Sequence, residues 1–200
     1  RMKIEAIGVT RMAAGMADPV VLDAAFNLAE YTIFQRGSAK EFLTFALRTM
    51  AKRLPPGSHC VDYEGKLCYA YITADGLGAT TITDKEYPAR VAVSLLREIV
   101  TEVKAEHGAA VAAVVRDGGL PIPRLEANLR DYQDPAKVDK IMKLDKSLTE
   151  TKEILHKTIE AVLERGEKLD DLVDKSDELS RTSKLFYKTA KKTNSCCVIM

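Results

Sequence analysis

The sequence predicts an α+β domain followed by one long helix that pairs with other helices. Two observations predict the domain: strand-like stretches alternate with one strongly amphipathic helix on each side of a three-strand run, and Gly-containing turns separate the strands. A third predicts the helix. From Asp134 onward there is no glycine except Gly166 and no proline after Pro135, while apolar residues recur at alternating steps of three and four.

In the first part, residues 2–133, "KIEAIGV" alternates well enough for an opening strand. "PVVLDAAFNL" is a second apolar stretch that suits strand or helix. "SAKEFLTFALRTMAKRL" predicts a helix from Ser38 to Leu54, with Ser38 and Glu41 as a capping box and Pro55-Pro56-Gly57 as the stop. "SHCVDY", "KLCYAYITA" and "LGATTIT", separated by Glu64-Gly65 and Asp75-Gly76, predict a three-stranded antiparallel meander. "YPARVAVSLLREIVTEVKAEHG" predicts a helix that starts at Pro88, ends at Gly108 and carries the stripe Ala92, Leu95, Leu96, Ile99 and Val103. A Gly/Pro-rich loop, "DGGLPIP", leads to a short helix around "RLEANLRDY". The five strands form an antiparallel sheet with helices packed on it.

In the second part, Ile141, Leu144, Leu148, Leu155, Val162, Leu169, Leu172, Leu179, Phe186 and Ala190 fall on one heptad seam. A 3.5-residue period kept over about seven heptads is a coiled-coil pattern, and at 1.5 Å per residue the rod would be roughly 80 Å long. Periodicity alone fits a homodimer. However, the seam also holds Thr151, Thr158, Ser176 and Ser183, which makes it a weak two-stranded zipper, and its centre is Arg165. A buried guanidinium needs acceptors for its five donors. Identical helices would set arginine against arginine, so the pattern predicts unlike partners that supply oxygen atoms.

The heptads around Arg165, "VLERGEKLDDLVDKSDEL", resemble the R-SNARE motif of synaptobrevin-like membrane-fusion proteins. The resemblance implies that Arg165 forms an ionic layer with three glutamines from Q-SNARE helices. Ile141, Leu144, Leu148, Thr151, Leu155, Thr158 and Val162 would be the layers before it, and Leu169, Leu172, Ser176, Leu179, Ser183, Phe186, Ala190 and Thr193 those after. "QRGSAKEFLTF" and "EYPARVAVSLL" are similar to stretches of the longin (profilin-like) domain that some R-SNAREs carry. Only the stretch "EHGAAVAAVVRDGG" matches nothing in that pattern. The implied organisation is a longin domain at 2–133, an R-SNARE coiled-coil motif at 134–194 and a lipidation tail at 195–200.

The tail ends in Cys197-Val198-Ile199-Met200, a CaaX pattern whose last methionine favours farnesylation of Cys197. One isoprenoid gives only marginal binding, so a second signal is needed, and Cys196 is placed to take a palmitoyl group. Lys184, Lys188, Lys191 and Lys192 would add attraction to an anionic membrane. The resemblance, with this tail in place of a transmembrane helix, implies a protein that cycles between cytosol and Golgi, endosomal, vacuolar/lysosomal and vesicle membranes. Arg1 ahead of Met2 reads as an addition before the natural start.

The apolar residues of the Ser38–Leu54 helix spread over about 200° of its wheel, whereas one sheet face needs only a stripe somewhat over 100°. The surplus predicts a second contact, with Phe42 and Phe45 as candidates, in which the longin domain folds over the SNARE helix and its lipid and holds them inactive. Phosphorylation of Ser176 or Ser183 would put negative charge into a packed layer.

Other classes fit less well. A net charge of +1 gives no field for nucleic acid. There is no run of about 18 apolar residues to span a membrane and no signal peptide. No phosphate-binding loop is present, "GLGATT" lacks the third glycine of a dinucleotide loop, and His59, His107 and His156 are isolated, so neither an enzyme, a metal site nor a cofactor is expected. Cys60 and Cys68 lie in strand-like stretches and suit inert buried thiols. A longin-type adaptor or tether whose coiled coil does not drive fusion stays open as an alternative, but it has no use for a charge at the seam's midpoint.

Overall fold

The computed structural model describes residues 3–63, 65–138 and 154–196. Strands β1 (Ile4–Arg11) and β2 (Val20–Phe26) are followed by helix α1 (Arg36–Arg53). The meander β3 (Gly57–Tyr63), β4 (Lys66–Ile72) and β5 (Leu77–Asp84) follows, then α2 (Ala89–Ala113) and α3 (Arg124–Asp131). The second part of the chain contributes β6 (Ile154–Thr158) and helices α4 (Ile159–Val162), α5 (Leu169–Lys175) and α6 (Arg181–Cys196).

The sheet runs β2-β1-β5-β4-β3-β6. The first five strands are antiparallel, as the turn-separated apolar runs predict. Side-chain alternation sends Ile4, Ile7, Val9, Tyr69, Leu77 and Ala79 to the face covered by α2 and α3. It sends Ala6, Val61, Tyr63, Cys68, Ala70 and Ile82 to the face covered by α1. Both faces are therefore buried, which is why these strands are apolar on both sides. The thiols of Cys60 and Cys68 are enclosed, and burial pushes both above the ordinary cysteine range, Cys68 the further.

Helix α1 lies close to β1 because Gly8 leaves room for it. A Cβ on Gly8 would stand 2.7 Å from Leu47 Cδ1. Thr32 and Gln35 tie off the turn before α1, Thr32 donating its backbone N–H and its hydroxyl to Gln35 Oε1 at 3.2 and 3.0 Å. The helix thus begins at Arg36, two residues before Ser38, and the expected capping box does not form: Ser38 is buried, and Glu41 is used elsewhere.

Helix α2 runs through Gly108 to Ala113 rather than ending at the glycine, because Val111 beyond it packs into the core. The stretch that matched no family pattern is thereby placed. Its continuation lies along β2: Gly118 and Leu120 donate backbone N–H groups to Val21 and Leu22 carbonyls, and Asp117 accepts from Val21 N–H at 3.0 Å.

The larger departure concerns the second part. Residues 154–194 do not form one long helix but a strand and three shorter helices laid on α1 and β3. β6 joins the edge of the sheet parallel to β3, from Ser58↔Ile154 to Asp62↔Thr158, making six strands rather than five. A seam with hydroxyls and an arginine is poorly stable as a lone helix, whereas the domain offers apolar cover and an unpaired strand edge.

Replacing Gly8 by Ala is expected to cost about 1–3 kcal/mol through crowding against Leu47. Adding Leu47→Val should recover part of that loss, read as the urea midpoint of each variant.

Candidate functional site

The interface between the first part and residues 154–192 is built on the outward face of α1. Leu43, Ala46, Leu47 and Met50 turn toward the sheet, and the surplus apolar width of the helix leaves Phe42 and Phe45 to meet the second part. Phe42 stacks on Tyr187 of α6 with ring centres 5.0 Å apart, and also touches Phe45 and Tyr63 at 6.3 and 6.2 Å. Beside them Tyr31 meets Phe186 edge-on at 5.9 Å. Ile159, Val162, Leu163, Leu169, Val173, Leu179 and Tyr187 are all buried in one core with α1 and the inner face of β3, β4 and β5.

Polar groups fix the register of this packing. The Glu41 carboxylate accepts from the Ser180 backbone N–H at 3.0 Å and from the Ser183 hydroxyl at 2.6 Å, at the start of α6. These bonds, the Ser183 hydroxyl foremost, hold Glu41 below its ordinary range. Ser183 itself is 0% exposed. Arg48 reaches from α1 to Asp117 on one side, while its Nε stands 2.9 Å from Glu178 on the other. It links the loop after α2 to the turn before α6. Arg53 contacts Glu164 and Glu167 at 2.9 Å each. Within the second part, Asp170 accepts from Tyr187 Oη and Lys191 Nζ at 2.7 Å, and Lys191 foremost lowers its pKa.

The predicted seam is split by this arrangement. Val162, Leu169, Leu179 and Ser183 are buried, Leu172 packs against the same core, and Ser176 and Phe186 are half-buried. Leu155, Thr158 and Ala190 are exposed. Arg165, the expected ionic-layer residue, is exposed at a turn. Ile141, Leu144, Leu148, Thr151 and Cys197 lie outside the described residues, as do the side chains of Thr193 and Cys196. Of the two phenylalanines, Phe42 stacks on Tyr187, and Phe45 is an 8% exposed residue of the shared core. Missed were Ile159, Leu163, Val173 and Tyr187, which flank the seam. Their signal is an apolar stripe wider than two residues per heptad.

Between Phe42, Leu43, Ala46, Tyr63 and Ile82 on one side and Phe186, Tyr187 and Ala190 on the other lies a cleft of about 310 Å³. Its rim carries Glu30, Tyr31, Lys66 and Lys191. Burial pushes the Tyr31 phenol up to about 12, and Lys66 is held charged between Glu5 and Asp84. Among the described residues no group of side chains is arranged to hold a metal ion, and no helix is long and apolar enough to cross a membrane.

A model of the synaptobrevin family matches residues 140–198, and a model of the regulated-SNARE-like (longin) domain matches residues 28–120. The chain is 46% identical to the VAMP-like protein YKT61 of Arabidopsis thaliana, over all of both chains. It is 43% identical to the synaptobrevin homolog YKT6 of Saccharomyces cerevisiae, again over all of both. The chain belongs to the longin-type synaptobrevin family. It is an R-SNARE of membrane fusion and vesicle transport, and the family is not a class of enzymes. In this R-SNARE the longin domain and the synaptobrevin segment share one apolar core.

Two outcomes are expected at this interface. Glu41 and Asp170 are lowered when packed, so their contribution is present above 4.5 and 3.8, their ordinary values, and is lost as pH falls through the lowered ones. X-ray scattering should show the radius of gyration rising below about pH 4, less steeply in Glu41→Gln combined with Asp170→Asn. A double-mutant cycle on Arg48→Met and Glu178→Gln should give a coupling of about 1 kcal/mol or less, Glu178 being partly exposed.

Proposed function

We propose that this arrangement is the resting, fusion-incompetent form of the R-SNARE, in which the longin domain withholds the synaptobrevin segment from its partners. One observation carries the reading: Val162, Leu169 and Leu179 are buried against α1 and the sheet, so they are unavailable as layers for other helices. On release, the segment forms one helix in a four-helix bundle with three glutamine-bearing Q-SNARE helices, and Arg165 sits among their side-chain oxygens to set the register. Layer burial at roughly 25 cal/mol per Å² of apolar surface drives the zippering.

Farnesyl on Cys197 and palmitoyl on Cys196 anchor the released form. The cleft between Phe42 and α6 has the apolar lining and the position, beside the last described helix, to take up the isoprenoid when the protein leaves the membrane. The protein thereby moves between cytosol and Golgi, endosomal, vacuolar/lysosomal and vesicle membranes. The tether reading is weaker, because a tether gains nothing from hiding its own seam.

Phe42→Glu should open the clamp, since it removes the Tyr187 stack and desolvates a charge, together about 2–3 kcal/mol. When the full chain is mixed with glutamine-bearing SNARE helices, the variant should assemble a heat-stable complex at least tenfold faster than the natural protein. Equal rates would refute the clamp. Arg165→Ala should leave the resting form unchanged but give a bundle that melts earlier.

A further inference from the structure

We infer that Gly166 is the pivot that selects between the two forms, because it is the residue whose backbone the two forms require in opposite hands. The inference rests on the resting-form reading above and adds the residue that governs the exchange.

Glu164 to Glu167 form a tight turn, closed by the Glu167 backbone N–H donating to the Glu164 carbonyl at 2.9 Å. Gly166 occupies its third position with φ +86°, the place and sign that a type II turn assigns to glycine. The turn is also tied from outside. Glu167 Oε2 accepts from the Glu164 backbone N–H at 3.1 Å, and Arg53 of α1 holds both carboxylates. Arg165 is thereby placed at the turn's tip in open water, while Leu163 before it and Leu169 after it enter the core. The turn solves the problem that a guanidinium within an apolar seam poses to any clamp: it lets the seam be buried on both sides without burying the charge.

A right-handed helix through the same residues needs φ near −63° at position 166. Glycine is thus the residue that costs least in the turn and among the most in the helix. No neighbouring atom lies within 4 Å of where a Cβ on Gly166 would stand, so a substitution acts through backbone conformation and not through a clash. Alanine disfavours the left-handed turn by about tenfold and favours the helix by about fivefold. The ratio of resting to released form should fall on the order of 50-fold. Asparagine tolerates positive φ and is a modest helix former, so it should fall between alanine and glycine.

The test is native-state amide hydrogen exchange on the full chain, which reads rare openings whatever the resting ratio. Without partners the opened segment is not held as a helix, so only the turn's share is read: Gly166→Ala should speed exchange of the β6, α5 and α6 amides about tenfold and Gly166→Asn by less, with the β1 and β5 amides unchanged. Phe42→Glu is run beside them. If Phe42→Glu speeds exchange in the second part and Gly166→Ala does not, the pivot is wrong and the resting-form reading stands. If neither does, both fall. If Gly166→Ala speeds β1 and β5 equally, the glycine serves global stability and the pivot is again overturned. An assembly rate with glutamine-bearing SNARE helices that rises in the order Gly, Asn, Ala would confirm the link to function.

Discussion

The outward face of α1 is the constraint on which the rest of the structure depends. A helix that covers a sheet on one side and still shows Phe42 and Phe45 on the other leaves apolar area to be removed from water. The synaptobrevin segment has the opposite shortage, an apolar stripe without a sheet. Each supplies what the other lacks, and the shared core is continuous from Ala6 of the first strand to Tyr187 of the last helix. The ion pairs of Arg48 and Arg53 add register more than energy, since their carboxylate partners lie near water.

Much of the first part could be foreseen from the chain. Strands bounded by Gly turns, a proline-started α2 and an α1 too broad for one face are all local patterns, and local patterns survive into the fold when tertiary contacts agree with them. The stretch after Gly108 escaped because a glycine inside a helix resembles an ending, and what keeps α2 going is Val111 packing onto distant residues. Glu41 looked like the partner of Ser38 three residues before it. The same carboxylate serves Ser180 and Ser183 instead, a contact across 139 residues or more that no window of sequence contains.

The second part is helical as its pattern predicts, but its helix is broken, for a different reason. Its heptads describe a helix among helices, and such a pattern reports what the segment does with partners. It carries no sign of what the segment does without them. Ile154 to Thr158 show nothing that sets them apart as a strand; the unpaired edge of β3 makes them one. The clue to the second arrangement lay in the residues beside the seam, Ile159, Leu163, Val173 and Tyr187, which give the segment two overlapping apolar faces.

The parallel pairing of β6 with β3 has a consequence for the proposed released form. When the last strand departs, those backbone amides and carbonyls between Ser58 and Asp62 that face away from β4 lose their partners, and a bare sheet margin recruits extended chain from any neighbour in solution. With that margin bare the protein is therefore sticky. A crowded pool of such molecules survives only if departure is brief or is matched at once by a new occupant.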